Sequence, residues 1–368
     1  AMSLLRGFAD DHPLMTWLEQ HIWPAEQQWV GPEFVADGTR LAMAEMLRSG
    51  TTTFSDQYFF PEAAAAAVRD AGMRAQIAFP IIDFPNNWSR NGDDAIEKGL
   101  ALRDDYRSHP RIGLAFAPHA PYTVGDQTLE KIAVYAGELG MSVQMHLHET
   151  AGEVERALSE TGERPTQRLH RLGLLSPEML CVHMTALNDE DIDLLQKTGA
   201  HIAHCPRSNL KLASGFSPVG KLLAAGVNVS IGTDGAASNN GLDMLLETNT
   251  AALLAKAVAG DAAALPAHQA LAMATINGAR ALGIDDVTGS LEIGKAADLC
   301  AVDLGTLEQQ PLHDPLSQLI YTANGHHVRN VWVAGKQLLQ ERNLTTLNEE
   351  ELKQRATSWR DRIAGLAK

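Results

Sequence analysis

Read for its alternation of apolar and polar positions, the chain falls into repeating units. The apolar runs TTTFSD (51–56), RAQIAFPII (74–82), IGLAFAPHA (112–120), SVQMHLHE (142–149), MLCVHMT (179–185), HIAHCP (201–206) and NVSIGTD (228–234) predict seven strands. Between them, PEAAAAAVRDAG, DQTLEKIAVYAGELG and NDEDIDLLQKTG have helical spacing, each starting near Pro, Asp or Asn and stopping at Gly. Such alternation predicts a parallel sheet covered by helices, and its extent favours a (β/α)8 TIM barrel over an open sheet. No G-x-G-x-x-G opens a helix after the first strand, which counts against a dinucleotide fold. A closed barrel needs eight strands. The opening AMSLLRGFADDHPLMTWLEQHIWPAE reads as loop and helix, so the strand expected to be missing from the chain is the first.

The texture changes after about residue 287. TGSLEIGKAADLCAVDL and HVRNVWVAGKQLLQ alternate with a period of two and carry turn glycines, predicting antiparallel strands of a small β domain. The closing NEEELKQRATSWRDRIAGLAK has helical spacing and mixed charge, and reads as a solvated terminal helix. The expected division is a barrel at 1–286, part of a small β-sandwich domain at 287–345 and a C-terminal helix at 346–368.

Composition narrows the partners. A net charge of −15 over 368 residues disfavours nucleic-acid and membrane surfaces, which demand basic patches. No apolar run reaches the length of a membrane span. Three widely separated cysteines, Cys181, Cys205 and Cys300, form neither a disulfide framework nor a zinc ribbon, so a reducing cytoplasm is the expected location.

A parallel barrel builds its site at the C-terminal ends of its strands. The polar residues there are Asp56, His119, His146, His148, Glu149, His183, His204 and Asp234. Histidines and carboxylates dominate, which is the composition of a metal site. His146 and His148 lie two apart and share one strand face, so one or both can reach an ion. Asp234, before Gly235, is open to reading as a turn residue or a functional acid. His183 ends an apolar strand as a metal ligand, a water-orienting group or a satisfied core histidine. For His204 and the following PRSN a structural role is favoured. Glu26 reads either as a surface helix glutamate or as an acceptor pair for a vicinal diol.

As a set, SLLRGFADD, HIWPAE, SGTTTFSD, APHAPYT, HLHETAGE, VHMTAL, HCPRSNLKL, GTDGAASNN and GSLEIGKAADL resemble the metal-dependent amidohydrolase superfamily. The branch they most resemble is the 5′-methylthioadenosine/S-adenosylhomocysteine deaminases. The resemblance implies one divalent ion, zinc before iron or manganese, with His146 and Asp234 as ligands and a His-x-His pair expected upstream of Ala1. It implies that His183 orients the attacking hydroxide and that Glu149 handles the proton at a purine ring nitrogen. Asp234 would take the proton of the attacking water, Glu26 would hold ribose hydroxyls, and His119 and Ser238 would contact the substrate. The implied reaction is hydrolytic deamination of an adenosine-type nucleoside by a homo-oligomer. The alternatives are a guanine deaminase or triazine-type hydrolase, or a non-catalytic scaffold with an incomplete metal site.

Overall fold

The computed structural model describes residues 1–365. Seven parallel strands form one curled sheet in sequence order: β1 (Thr53–Gln57), β2 (Arg74–Ile81), β3 (Ile112–Pro118), β4 (Val143–Leu147), β5 (Met179–His183), β6 (His201–His204) and β7 (Val229–Ile231). Six of the predicted runs contain their strands, trimmed by up to three residues at an end, and β1 starts two residues into its run and ends one residue past it. Every residue of β2 is buried, as a strand covered on both faces requires. Among the described residues no strand joins β1 to β7, and the sheet is a half-barrel open along those two edges.

The helices obey local signals. Asn188 and Asp191 cap one another's backbone N–H at 2.9 Å, starting helix Asp189–Thr198, and Gly199 ends it at φ 75°. Helix Pro61–Ala71 starts on a proline and stops at Gly72, φ 90°. The helices pack on the outer face of the sheet, where Phe79, Phe116, Leu129, Ile132 and Leu147 are buried.

A second, antiparallel sheet of four strands follows, in the order β11-β10-β9-β8: β8 (Leu299–Val302), β9 (Val328–Val333), β10 (Lys336–Gln340) and β11 (Asn343–Leu344). The segment before Leu299, expected to alternate as strand, is turns and irregular backbone instead, with Leu291 and Ile293 exposed. Gly289 at φ 93° and Gly294 at φ 99° break the extended backbone there. A buried ion pair joins this sheet to the half-barrel. Arg74 Nε donates to Asp298 Oδ2 at 2.5 Å, with side chains 7% and 0% exposed.

The expectation of a solvated terminal helix needs correction. Helix Glu349–Ala364 docks on helix Pro32–Arg48 through Leu352, Trp359 and Ile363. The Trp359 ring sits edge-on to Phe34 at 5.1 Å, and its Nε1–H donates to the buried Asp37 at 3.1 Å. A few apolar anchors among many charges suffice to dock a helix, and mixed charge hides them. The chain's last residues, 366–368, which the sequence reading placed in this helix, lie outside the described residues. No helix among the described residues is long and apolar enough to cross a membrane.

Candidate active site

The C-terminal strand ends open into one cavity of about 1240 Å³, whose lining includes Glu26, Asp56, His119, His146, Glu149, His183, Asp234 and Ser238. Register brings the first pair together, because His146 pairs with Val182, and Leu147 with His183, across β4 and β5. Their imidazoles stack with centroids 5.6 Å apart. Asp234 arrives from the loop after β7. One ligating atom from each of His146, His183 and Asp234 lies within 4.8 Å of the others. His183 thus belongs to the candidate metal cluster itself.

The surrounding bonds suit a divalent cation. The His146 Nδ1–H donates to the carbonyl of His119 at 2.9 Å, and the His183 Nδ1–H to Asn209 Oδ1 at 2.8 Å. A carbonyl oxygen only accepts, so a proton sits on Nδ1 in both rings, and Nε2 is the nitrogen placed to ligate. Asp234 Oδ2 accepts from the hydroxyls of Ser208 and Ser238, each at 2.6 Å, and Oδ1 from the N–H of Gly235 at 2.7 Å. Burial raises the Asp234 pKa, but His183, His146 and the two hydroxyls outweigh it, and the group lies below the usual carboxylate range.

Glu149 faces this cluster, with Oε2 3.9 Å from His183 Nε2. Burial pushes its carboxyl up to about 7; His146 opposes the shift and Asp234 adds to it. The turn that carries it is held by Glu153, whose two carboxylate oxygens accept the N–H groups of His148 and Glu149 at 2.9 Å.

His148 does not join the site. It falls just past the end of β4, where φ of 50° turns it away from the face it would share with His146. Its Nδ1–H donates to the carbonyl of Ala186 at 3.0 Å, and its Nε2 accepts from the N–H of Thr166 at 3.2 Å. Left-handed backbone recurs at the end of β5 and in the loop after β7, with φ of 78° at His183, 51° at Met184 and 60° at Asp234. His204 is buried beside His183, and burial pushes its pKa down to about 3, keeping it neutral. The PRSN segment after it supplies Ser208 and Asn209, the partners of Asp234 and His183. Ser238, expected at a substrate, stands on Asp234.

Farther out, His119 bonds to Thr123 Oγ1 at 3.2 Å, and burial pushes its pKa down to about 3. Glu26 is no surface residue. It projects from helix Trp23–Trp29 into the cavity, and its Oε1 accepts from the hydroxyl of Tyr58 at 2.7 Å. Burial pushes its carboxyl up to about 7, against the pull of that hydroxyl. Tyr58 was missed by the sequence reading; the only signal was a tyrosine one residue beyond a strand end.

The sequence pattern of the amidohydrolase family matches residues 1–338. A relative from Teredinibacter turnerae is 61% identical over 99% of this chain and 82% of its own length, and one from Aquifex aeolicus is 42% identical over 99% and 84%. Both carry the name 5-methylthioadenosine/S-adenosylhomocysteine deaminase. A crystal structure of an adenosine deaminase from Xanthomonas campestris with bound zinc superposes with a TM-score of 0.98. It is 53% identical, and the match covers 99% of this chain and 83% of that one. An atrazine chlorohydrolase from Arthrobacter aurescens matches at a TM-score of 0.91 and 24% identity, a likeness of fold.

Proposed function

The chain belongs to the amidohydrolase family, and we propose that it is a hydrolytic deaminase of adenosine-type nucleosides, acting on 5′-methylthioadenosine and S-adenosylhomocysteine. The observation that carries the reading is the convergence of His146, His183 and Asp234, with the Glu149 carboxyl beside them and Glu26 lining the same cavity. Two relatives bear that name and a third binds zinc, which supports both the substrate class and the ion. The guanine and triazine alternatives draw on structures at 24–25% identity, against 42–61% for the named deaminase relatives. A non-catalytic scaffold has no use for two imidazoles locked in the ligating tautomer.

His146 and His183 through Nε2, with Asp234, would hold the ion. Nitrogen and oxygen donors suit zinc, which when bound lowers the pKa of a water toward neutrality. The residues divide the remaining work. Asp234, ionised at neutral pH, accepts the proton of the attacking water. Glu149, its pKa near 7, donates a proton to the purine ring nitrogen next to C6, making that carbon electrophilic. Oxygen adds at C6, Asp234 passes its proton to the amine nitrogen, the C6–N bond breaks and ammonia leaves, while the remaining C6 hydroxyl proton returns to Glu149. His183 would orient the attacking water through the ion that its Nε2 helps to hold, its Nδ1–H being tied to Asn209. Glu26, steadied by Tyr58, accepts the two ribose hydroxyls, and neutral His119 contacts the base. The change of texture near residue 287 and the separate second sheet support a barrel unit at 1–286 and a small β unit after it. Cysteine usage supports a reducing cytoplasm.

The test is ammonia release from 5′-methylthioadenosine, S-adenosylhomocysteine, adenosine, guanine and a triazine. The nucleosides should be turned over and the other two left intact. Turnover confined to guanine or the triazine would overthrow the assignment.

A further inference from the structure

Helix Trp23–Trp29 carries Glu26 but has little to hold its far end. It follows a single π-helical turn, Leu18–Ile22, and its last carbonyls lie beyond the helix's own hydrogen bonding, apart from that of Glu26, which accepts the N–H of Val30 at 2.9 Å. Asn87, in the loop between β2 and helix Gly92–Tyr106, reaches across to them. Its Nδ2 lies 2.9 Å from the carbonyl of Glu26, 3.1 Å from that of Gln27 and 2.9 Å from that of Val30. One side chain thus closes the helix end from a different part of the chain, and one of the carbonyls it holds belongs to Glu26 itself.

The loop is a firm base for this. Asn86 Oδ1 accepts the N–H groups of Trp88 and Ser89, both at 2.9 Å. Trp88 is buried, and its Nε1–H donates to Glu62 at 3.2 Å. Asn87 therefore links a helix at the cavity wall to a loop fixed on the sheet. The Glu26 carboxylate is held at one end by Tyr58 and at its backbone by Asn87.

We propose that Asn87 is a positioning residue for the ribose: it seats helix Trp23–Trp29 so that the Glu26 carboxylate meets the two hydroxyls together. The inference rests on reading Glu26 as the ribose acceptor. A lost hydrogen bond to a charged acceptor costs roughly 10- to 100-fold in affinity, so a loss should fall on riboside affinity and spare chemistry at C6.

The experiment compares Asn87→Ala and Asn87→Asp with the zinc-loaded wild type. The aspartate keeps the shape and removes the donor. For both variants, KM for 5′-methylthioadenosine should rise about tenfold or more while kcat stays within about threefold. The Kd of the product 5′-methylthioinosine, measured by calorimetry, should rise by the same factor. KM for 2′,3′-dideoxyadenosine, which lacks the diol, should stay within about twofold. Wild-type riboside affinity in either variant overturns the proposal. So does an equal loss on the dideoxy substrate, which would mark general damage to the cavity. Failure of the underlying Glu26 reading shows separately: the wild type itself would then take dideoxyadenosine as readily as adenosine.

Discussion

Replacing Asn209 with leucine tests the tautomer argument at the metal cluster. Asn209 is 1% exposed, its Oδ1 accepts the His183 Nδ1–H at 2.8 Å, and its Nδ2 has no hydrogen-bond partner among the described residues. Leucine keeps the volume and removes the acceptor. The stranded imidazole N–H then costs about 1–3 kcal/mol. Moving the proton to Nε2 relieves that cost but blocks the ligating nitrogen. At about 1.4 kcal/mol per factor of ten, zinc affinity should fall roughly 10- to 100-fold. Stability should move much less, because the buried, unpartnered Nδ2 disappears in the same substitution. A net change of about 1 kcal/mol or less corresponds to no more than about 2–4 °C in Tm of the metal-free protein. The assays are competition with a calibrated zinc chelator and a thermal melt without metal. Wild-type zinc affinity in a folded variant would refute the reasoning. A Tm loss above about 5 °C with affinity intact would make Asn209 a packing residue only.

Glu149→Gln should keep zinc and fold while lowering kcat by a factor of about 100 to 10,000; more than a tenth of wild-type turnover in a metal-quantified preparation would remove its proton role. The Glu26 carboxyl, pushed up to about 7, is protonated below that pH and charged above it. Two hydroxyls need the charged acceptor, so KM for ribosides should fall as pH rises through about 7, and KM for the dideoxy analogue should not; parallel profiles would sink the idea. Trp359→Ala removes the 4%-exposed anchor of the terminal helix and should destabilise the fold by about 3–5 kcal/mol in urea titrations. A loss under about 1 kcal/mol would restore the view of a solvated helix.

Strand alternation made the seven-stranded sheet legible, because parallel strands covered on both faces are near-continuous apolar runs. The strand-end pattern named His146, Asp234, His183 and Glu149, the resemblance supplied their roles, and the structure gathers all four into one cavity. What stayed hidden depends on contacts distant in sequence. Asn209 and Tyr58 matter through His183 and Glu26, and nothing near either residue marks the partner. The period-two rule grouped His148 with His146, and a single left-handed residue past the strand end separated them. Glu26 sits in a segment that reads as an ordinary amphipathic helix, and its enclosure comes from the cavity wall. The turns before Leu299 alternate in polarity like a strand, but glycines with positive φ override that pattern.

The left-handed backbone at His183, Met184 and Asp234 has a consequence for anyone trying to harden this protein. A non-glycine residue held there costs on the order of 1–3 kcal/mol. A library screened for heat resistance alone should therefore enrich glycine or asparagine at His183 and Asp234. At Met184, fully buried beside the site, lost packing of about 2–5 kcal/mol outweighs the relief. At His183 and Asp234 the same substitution yields a tougher, inert protein. Selection for thermal endurance and selection for turnover would pull these two codons in opposite directions, and sequencing the survivors of each would display the conflict directly.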